Sequence, residues 1–213
     1  MPGRVVRLGV HLDWLEVSVS VEDGAGCTSC AAVPADMHLG TEGPLCDRCF
    51  DDRVVASTGL PRLPDAPAPV AIADADGTPQ TMVYRLSRGP AGISVRLVEA
   101  DPPPDGGYEF EEFGDHDADP SMLLDLVTVR ADTEMARRYL TRTKSGQLQI
   151  GHDEDGGADE VVGRIETVEP FGPLTVVVDG RAVTWDELGQ ALSPYEGWQF
   201  VLRITDRFGD PRH

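Results

Sequence analysis

Basic side chains are scarce in this sequence: 18 lysines and arginines stand against 37 aspartates and glutamates, for a formal charge of -19. Affinity for nucleic acid comes largely from cationic side chains displacing the counterions condensed on phosphate, and anionic lipid heads attract the same groups. Nucleic acid and membrane surfaces are therefore poor partners for the chain, and a basic protein fits better. Long apolar runs are missing too. No stretch approaches the roughly 18 consecutive apolar residues of a membrane-spanning helix. The N-terminus, MPGRVVRLGVHLDWLEVSVSVED, is interrupted by Arg7, His11, Asp13 and Glu16, so it lacks the apolar stretch of a secretory leader. These absences give an expected location in the cytoplasm.

Catalytic signatures are absent as well. No GxSxG, P-loop, GxGxxG or HExxH pattern occurs, and each of those motifs works only through its own spacing. The chain has four cysteines, and all of them fall in one cluster, which leaves none to act as a nucleophile. Nothing in the sequence argues positively for an enzyme.

What is present is a metal-ligand pattern. Cys27 and Cys30 form a C-x2-C pair, 15 residues intervene, and Cys46 and Cys49 form a second pair. Tetrahedral Zn2+ wants four soft or borderline donors, and a two-residue gap lets a tight turn aim both sulfurs of a pair at one ion. In a reducing compartment two disulfides are the weaker alternative. Four protein ligands leave no open coordination position, so the expectation is one structural Zn2+ with Cys27, Cys30, Cys46 and Cys49 as ligands. His38 lies between the pairs and reads as a loop residue. A segment of this size cannot bury enough apolar surface by itself, and structural zinc contributes roughly 10–16 kcal/mol of apparent binding free energy in small peptides.

The rest of the chain reads as an α+β protein: a small treble-clef-like zinc finger, then a mainly antiparallel sheet domain with one long and one short helix. The expected divisions are an N-terminal strand segment at 1–23, the finger at 24–62, a proline-rich linker at 63–69, the α+β domain at 70–206 and a tail at 207–213. Apolar residues two apart in 5–21 predict two short strands or one bulged one. A short helix is expected from Cys46 to Ser57, stopped by Gly59 and Pro61. Strands are expected at Val70–Ala73, Met82–Leu86, Ile93–Val98, Tyr108–Phe113, Leu148–Ile150, Val161–Val168 and Leu174–Val178, with turns at Asp74–Gly77 and at Asp179-Gly180. The long helix is expected from about Pro120 to Arg142, capped by Asp119, with Met122, Leu126, Val129, Ala136 and Leu140 as its buried face. Thr184 and Glu187 stand in capping-box spacing and predict a helix start. Trp198–Thr205 alternates Trp198, Phe200, Leu202 and Ile204 on one face and predicts a closing strand.

The first cysteine pair lies in a turn and the second, in PLCDRCFDDR, enters a helix, an order that resembles treble-clef zinc fingers. Between Cys27 and Leu63, Asp36, Glu42, Asp47, Asp51 and Asp52 outweigh Arg48, Arg53 and Arg62, so the finger has no basic stripe and suits a protein partner. The segments LCDRCFDDRVVASTGLP, GGYEFEEFGD, VGRIE and DGRAVTWDELGQAL with EGWQFVLRITD together resemble a bacterial family in which a zinc finger precedes a domain of unknown function. The resemblance covers about residues 25–206. It implies this architecture and carries no activity.

Two acidic stretches, GDHDAD at 114–119 and GHDEDGGADE at 151–160, set His116 and His152 among carboxylates, the residue types of a second metal or a general acid/base site. Glycine-flanked acidic runs are more often solvated loops, and neither run matches an EF-hand. Trp185, Tyr195, Trp198 and Phe200 crowd the C-terminal end. They read as core aromatics beneath the short helix, with an exposed aromatic anchor as the alternative. Three functional readings follow: a non-enzymatic, zinc-binding cytoplasmic protein that binds another protein; a metal-dependent hydrolase-like enzyme using His116 or His152; and nucleic-acid binding through the finger, which charge disfavours.

Overall fold

A computed structural model of the chain describes residues 10–12, 15–19, 26–32, 35, 37–39, 43–89, 91–104, 106–151, 160–167 and 174–205. Helices and antiparallel sheets are mixed, as expected for an α+β protein. Two compact units emerge. The first comprises residues 1–67, 85–96 and 112–126, and the second comprises 68–84, 97–111 and 127–213.

In the first unit, β1 (Val10–Leu12), β2 (Leu15–Val19) and β3 (Met37–Leu39) form an antiparallel sheet in that order. Val10 pairs with Val17, and Val17 with Leu39. Helix α1 (Asp47–Thr58) begins at Cys46 and ends at Gly59, whose left-handed backbone (φ 74°) lets its N–H reach the Val55 carbonyl. Glycine takes that conformation without the strain that a Cβ adds there. Helix α1 packs on β3, and Leu45, Phe50, Val54, Ala35 and Cys27 make the small core beneath it.

A four-stranded sheet follows in the order β4 (Val70–Ala73), β5 (Pro79–Gly89), β6 (Gly92–Glu99), β7 (Glu109–Gly114). The turn between β4 and β5 is built by Asp74, whose carboxylate accepts the N–H groups of Asp76 and Thr78 at 2.9 Å each. Burial alternates along the central strands, with Met82, Leu86 and Arg88 inside on β5 and Ile93, Val95 and Leu97 inside on β6.

Helix α2 spans Pro120–Met135. Asp119 caps it as expected, accepting the Ser121 N–H at 2.9 Å, but two features of the expected helix are corrected. It ends at Met135 rather than Arg142. The amides of Tyr139 and Leu140 are instead taken by the Asp179 carboxylate at 3.1 and 2.9 Å, and Leu140 opens strand β8 (Leu140–Arg142), which pairs with β9 (Leu148–Ile150). The buried face also differs: Leu123, Val127, Ala131 and Met135 are inside, whereas Met122, Leu126 and Val129 are 63%, 51% and 65% exposed. The helix is apolar on most of its circumference, so spacing alone could not select the face.

In the second unit, β10 (Arg164–Thr167), β11 (Leu174–Val178) and β12 (Arg181–Thr184) form an antiparallel sheet in chain order. The expected strand from Val161 thus starts at Arg164, and Val161 and Val162 pack beside the core instead. Asp179 (φ 52°) and Gly180 (φ 69°) both turn left-handed in the β11–β12 hairpin, as a two-residue turn matching strand twist requires. Helix α3 (Trp185–Leu192) starts on the expected capping box, with Thr184 and Glu187 bonding each other's backbone N–H groups. It packs on β9, β11 and β12, adding Ala191 to a core of Tyr139, Leu140, Ile150, Val176, Val178 and Val183.

The expected closing strand at Trp198–Thr205 does not form. These residues have no regular structure and all are exposed. Their alternation is strand-like, but a strand needs a partner edge, and none of the described sheets includes them. Consequently Trp198 and Phe200 are not core aromatics: they are 72% and 85% exposed, and Trp185 is 45% exposed. Tyr195 is partly buried and meets the Trp198 ring edge-on at 5.5 Å.

Candidate metal centre

The four cysteines arrive by two different routes. Cys27 and Cys30 sit on a turn closed by Ala31 N–H to the Cys27 carbonyl (2.7 Å) and Cys27 N–H to the Ala32 carbonyl (2.9 Å). Ala31 takes φ 60° to make this turn, an uncommon conformation for a residue with a Cβ. Cys46 and Cys49 lie one helical turn apart at the start of α1. Two ties hold the halves in register: Thr28 donates through its N–H and hydroxyl to the Pro44 carbonyl, and Met37 and Leu45 exchange backbone hydrogen bonds just before Cys46.

The result is one cluster in which the four sulfur atoms lie within 4.8 Å of one another and could hold a metal ion. Among the described residues it is the sole such group. None of the four is in a disulfide. The Cys30 and Cys46 sulfurs are 3.6 Å apart, well beyond a sulfur–sulfur bond and close to the roughly 3.8 Å edge of a tetrahedron with metal–sulfur bonds of about 2.3 Å.

The electrostatics of the cluster favour a cation. Burial pushes the Cys27 thiol up, but the backbone groups of Cys46, Ser29 and Cys30 outweigh it and bring it down to about 6. Burial raises Cys46 as well. At Cys49, burial together with the thiols of Cys30, Cys27 and Cys46 pushes the pKa up to about 12. Four thiolates cannot coexist in so small a volume without a compensating positive charge, and a divalent ion is the compensation that thiolate donors select.

Sequence reasoning missed a buried ion pair next to the cluster. Asp51, two residues past Cys49, is 3% exposed, and Arg88 on β5 is 1% exposed. Arg88 Nε meets Asp51 Oδ1 at 2.9 Å, Asp51 Oδ2 accepts the Leu63 N–H at 2.9 Å, and Arg88 Nη2 donates to the Pro61 carbonyl at 2.8 Å. Nη1 of Arg88 is buried with no hydrogen-bond partner among the described residues. A signal for both existed. Asp51 sits between Phe50 and Val54 on the inward face of α1, and Arg88 continues the even-numbered positions Met82 and Leu86 of β5.

Among the described residues no histidine joins the cluster. His116 is half-buried in the turn after β7. His38 lies in β3. His152 and the acidic run around it fall outside the described residues. No helix among the described residues is long and apolar enough to cross a membrane.

Two family models match the chain. Residues 64–136 match Domain of unknown function (DUF7686). Residues 142–209 match Domain of unknown function (DUF7713). No curated protein and no solved structure matches. The four-cysteine cluster precedes both matched stretches, and the Asp51–Arg88 pair joins its helix to a strand of the first.

Proposed function

We propose that the chain is a zinc-binding, non-enzymatic protein whose cysteine unit is a treble-clef-like finger holding one structural Zn2+, and that it works by binding another protein. The observation that carries the metal reading is the convergence of four thiol sulfurs within 4.8 Å. Four thiolate donors suit Zn2+, and filling all four positions with protein leaves none for a substrate or water, which is the pattern of a structural site. The order of turn, backbone bridge and helix supports the treble-clef reading. Loading the site would fix the start of α1 and, through Asp51, the place of Arg88.

The interaction reading rests on the surface. Met122, Leu126 and Val129 form an exposed apolar stripe along α2, with exposed Asp125 and Asp132 on the same helix. An apolar stripe with acidic neighbours suits a partner that offers an apolar face and basic side chains. The overall charge of -19 favours the same partner, and four cysteines outside any disulfide suit the reducing cytoplasm as the working location.

Elemental analysis of protein purified without added metal tests the core of this proposal. One zinc per chain in the wild type and none in Cys46→Ser is the expected result; a wild-type chain without zinc overturns it. For the partner, a protein recovered by cross-linking in cells and then purified should bind the wild type. It should lose affinity for Leu126→Asp, a variant that keeps its zinc. Equal binding by the variant would remove α2 as the contact.

A further inference from the structure

Cys27, Cys30, Cys46 and Cys49 are the four cysteines of the chain, so any thiol oxidation falls on this one cluster. Its members do not meet solvent equally. Cys27 is buried and Cys46 and Cys49 are part-buried, whereas Cys30 is exposed, on a turn where Thr28, Ser29, Ala31 and Ala32 are small and exposed as well. Oxidants select accessible thiolates that have a second sulfur within reach. Cys30 has one. Its Sγ lies 3.6 Å from Sγ of Cys46, so an approach of about 1.5 Å would bring the two to a disulfide bond length of roughly 2.05 Å.

The place of this pairing gives it consequences. Cys30 and Cys46 belong to different C-x2-C pairs, so a bond between them takes one metal ligand from each half of the site. Cys27 and Cys49 cannot fill a tetrahedral shell alone. Cys46 is also the N-cap of α1, and farther along that helix Asp51 meets Arg88 of β5 at 2.9 Å. Arg88 lies within residues 64–136, which match the first family model.

On the zinc reading above, we propose that the cluster is a reversible peroxide sensor, in which oxidation joins Cys30 to Cys46, expels the Zn2+ and loosens the tie between Asp51 and Arg88. The Cys30 thiolate attacks one peroxide oxygen; the O–O bond breaks, hydroxide leaves, and a sulfenic acid remains on Cys30. The Cys46 thiolate then attacks the Cys30 sulfur, forming the S–S bond as the S–O bond breaks and a second hydroxide leaves. The two sulfurs give up two electrons and the peroxide takes both. A shell of four protein ligands holds no metal-bound water to react in their place. A dithiol reductant restores both thiols by exchange, and zinc then rebinds.

The full chain is first assayed for zinc and then treated with hydrogen peroxide beside a colorimetric zinc indicator. One zinc per chain should be released. Peptide mapping after alkylation of free thiols should find Cys30 joined to Cys46, with Cys27 and Cys49 alkylated, and amide hydrogen exchange should rise across 85–96. Dithiothreitol with added zinc should reverse all three changes. Cys30→His, which keeps a fourth donor without the exposed sulfur, should hold its zinc at peroxide concentrations that empty the wild type. A wild type purified without zinc overturns the zinc reading and this inference with it. A zinc-loaded wild type that keeps its metal in peroxide, or loses it through a different disulfide, overturns this inference and leaves the zinc reading standing. So does a Cys30→His chain that releases zinc as readily as the wild type.

Discussion

At the scale of single residues, the Asp51–Arg88 pair carries the sharpest energetic consequence. A buried guanidinium is tolerable only while its partners are present, and removing one member of such a pair costs about 3–5 kcal/mol because the other charge is left uncompensated. Replacing both with apolar residues of similar volume removes the two desolvation penalties together and is often close to neutral. Asp51→Ala should therefore lower the chemical-denaturation midpoint sharply, and Asp51→Leu with Arg88→Met should recover most of the loss. A double variant as unstable as the single would show that the bonds to Pro61 and Leu63, rather than the charges, set the cost. The cysteines were legible at this scale because metal ligation imposes a spacing on the sequence. Asp51 and Arg88 were legible only as inward-facing positions, since nothing local ties a helix carboxylate to a guanidinium 37 residues away.

At the scale of elements, local punctuation was the dependable guide. The Asp119 cap, the Thr184–Glu187 capping box, the Gly59 stop and the Asp74 and Asp179-Gly180 turns all stand where backbone chemistry puts them. What failed was inference about partners. Helix α2 displays two apolar stripes, and which one turns inward depends on the rest of the fold. Trp198–Thr205 has strand periodicity, but no sheet among the described residues includes it. The α2 assignment yields a direct test. Met135→Ala should destabilise by about 2–5 kcal/mol, as truncation of a fully buried side chain does. Met122→Ala, on the exposed stripe, should stay within about 0.5 kcal/mol. Equal losses in urea denaturation would mean that both stripes are covered.

For the whole molecule, the metal should govern one unit more than the other. The core of the cysteine unit is small, with Leu45 and Phe50 its largest fully buried members, and on the proposed function its order would depend on the metal that gathers the four sulfurs. The cluster over which α3 lies draws on seven buried side chains and no cysteine. Chelation should raise amide hydrogen exchange across 27–63 and 85–96 while Val176–Val178 and Val183 keep their protection. Simultaneous loss of protection everywhere would instead mark a single cooperative transition. The metal's reach into 85–96 runs through Arg88, which is why a reading of the cysteines alone would confine its effect to the finger.

The same ion pair imposes an order in time. Chains fold largely from the N-terminus as they emerge during synthesis, and α1 emerges well before β5. The carboxylate at 51 is thus in position, or not, by the time the guanidinium at 88 appears. On the proposed zinc reading, a nascent chain supplied with zinc would meet β5 with a ready counter-ion. One made under zinc starvation would try to close its central strand around an unneutralised charge, and it would expose that strand to chaperones and proteases from the moment it left the ribosome.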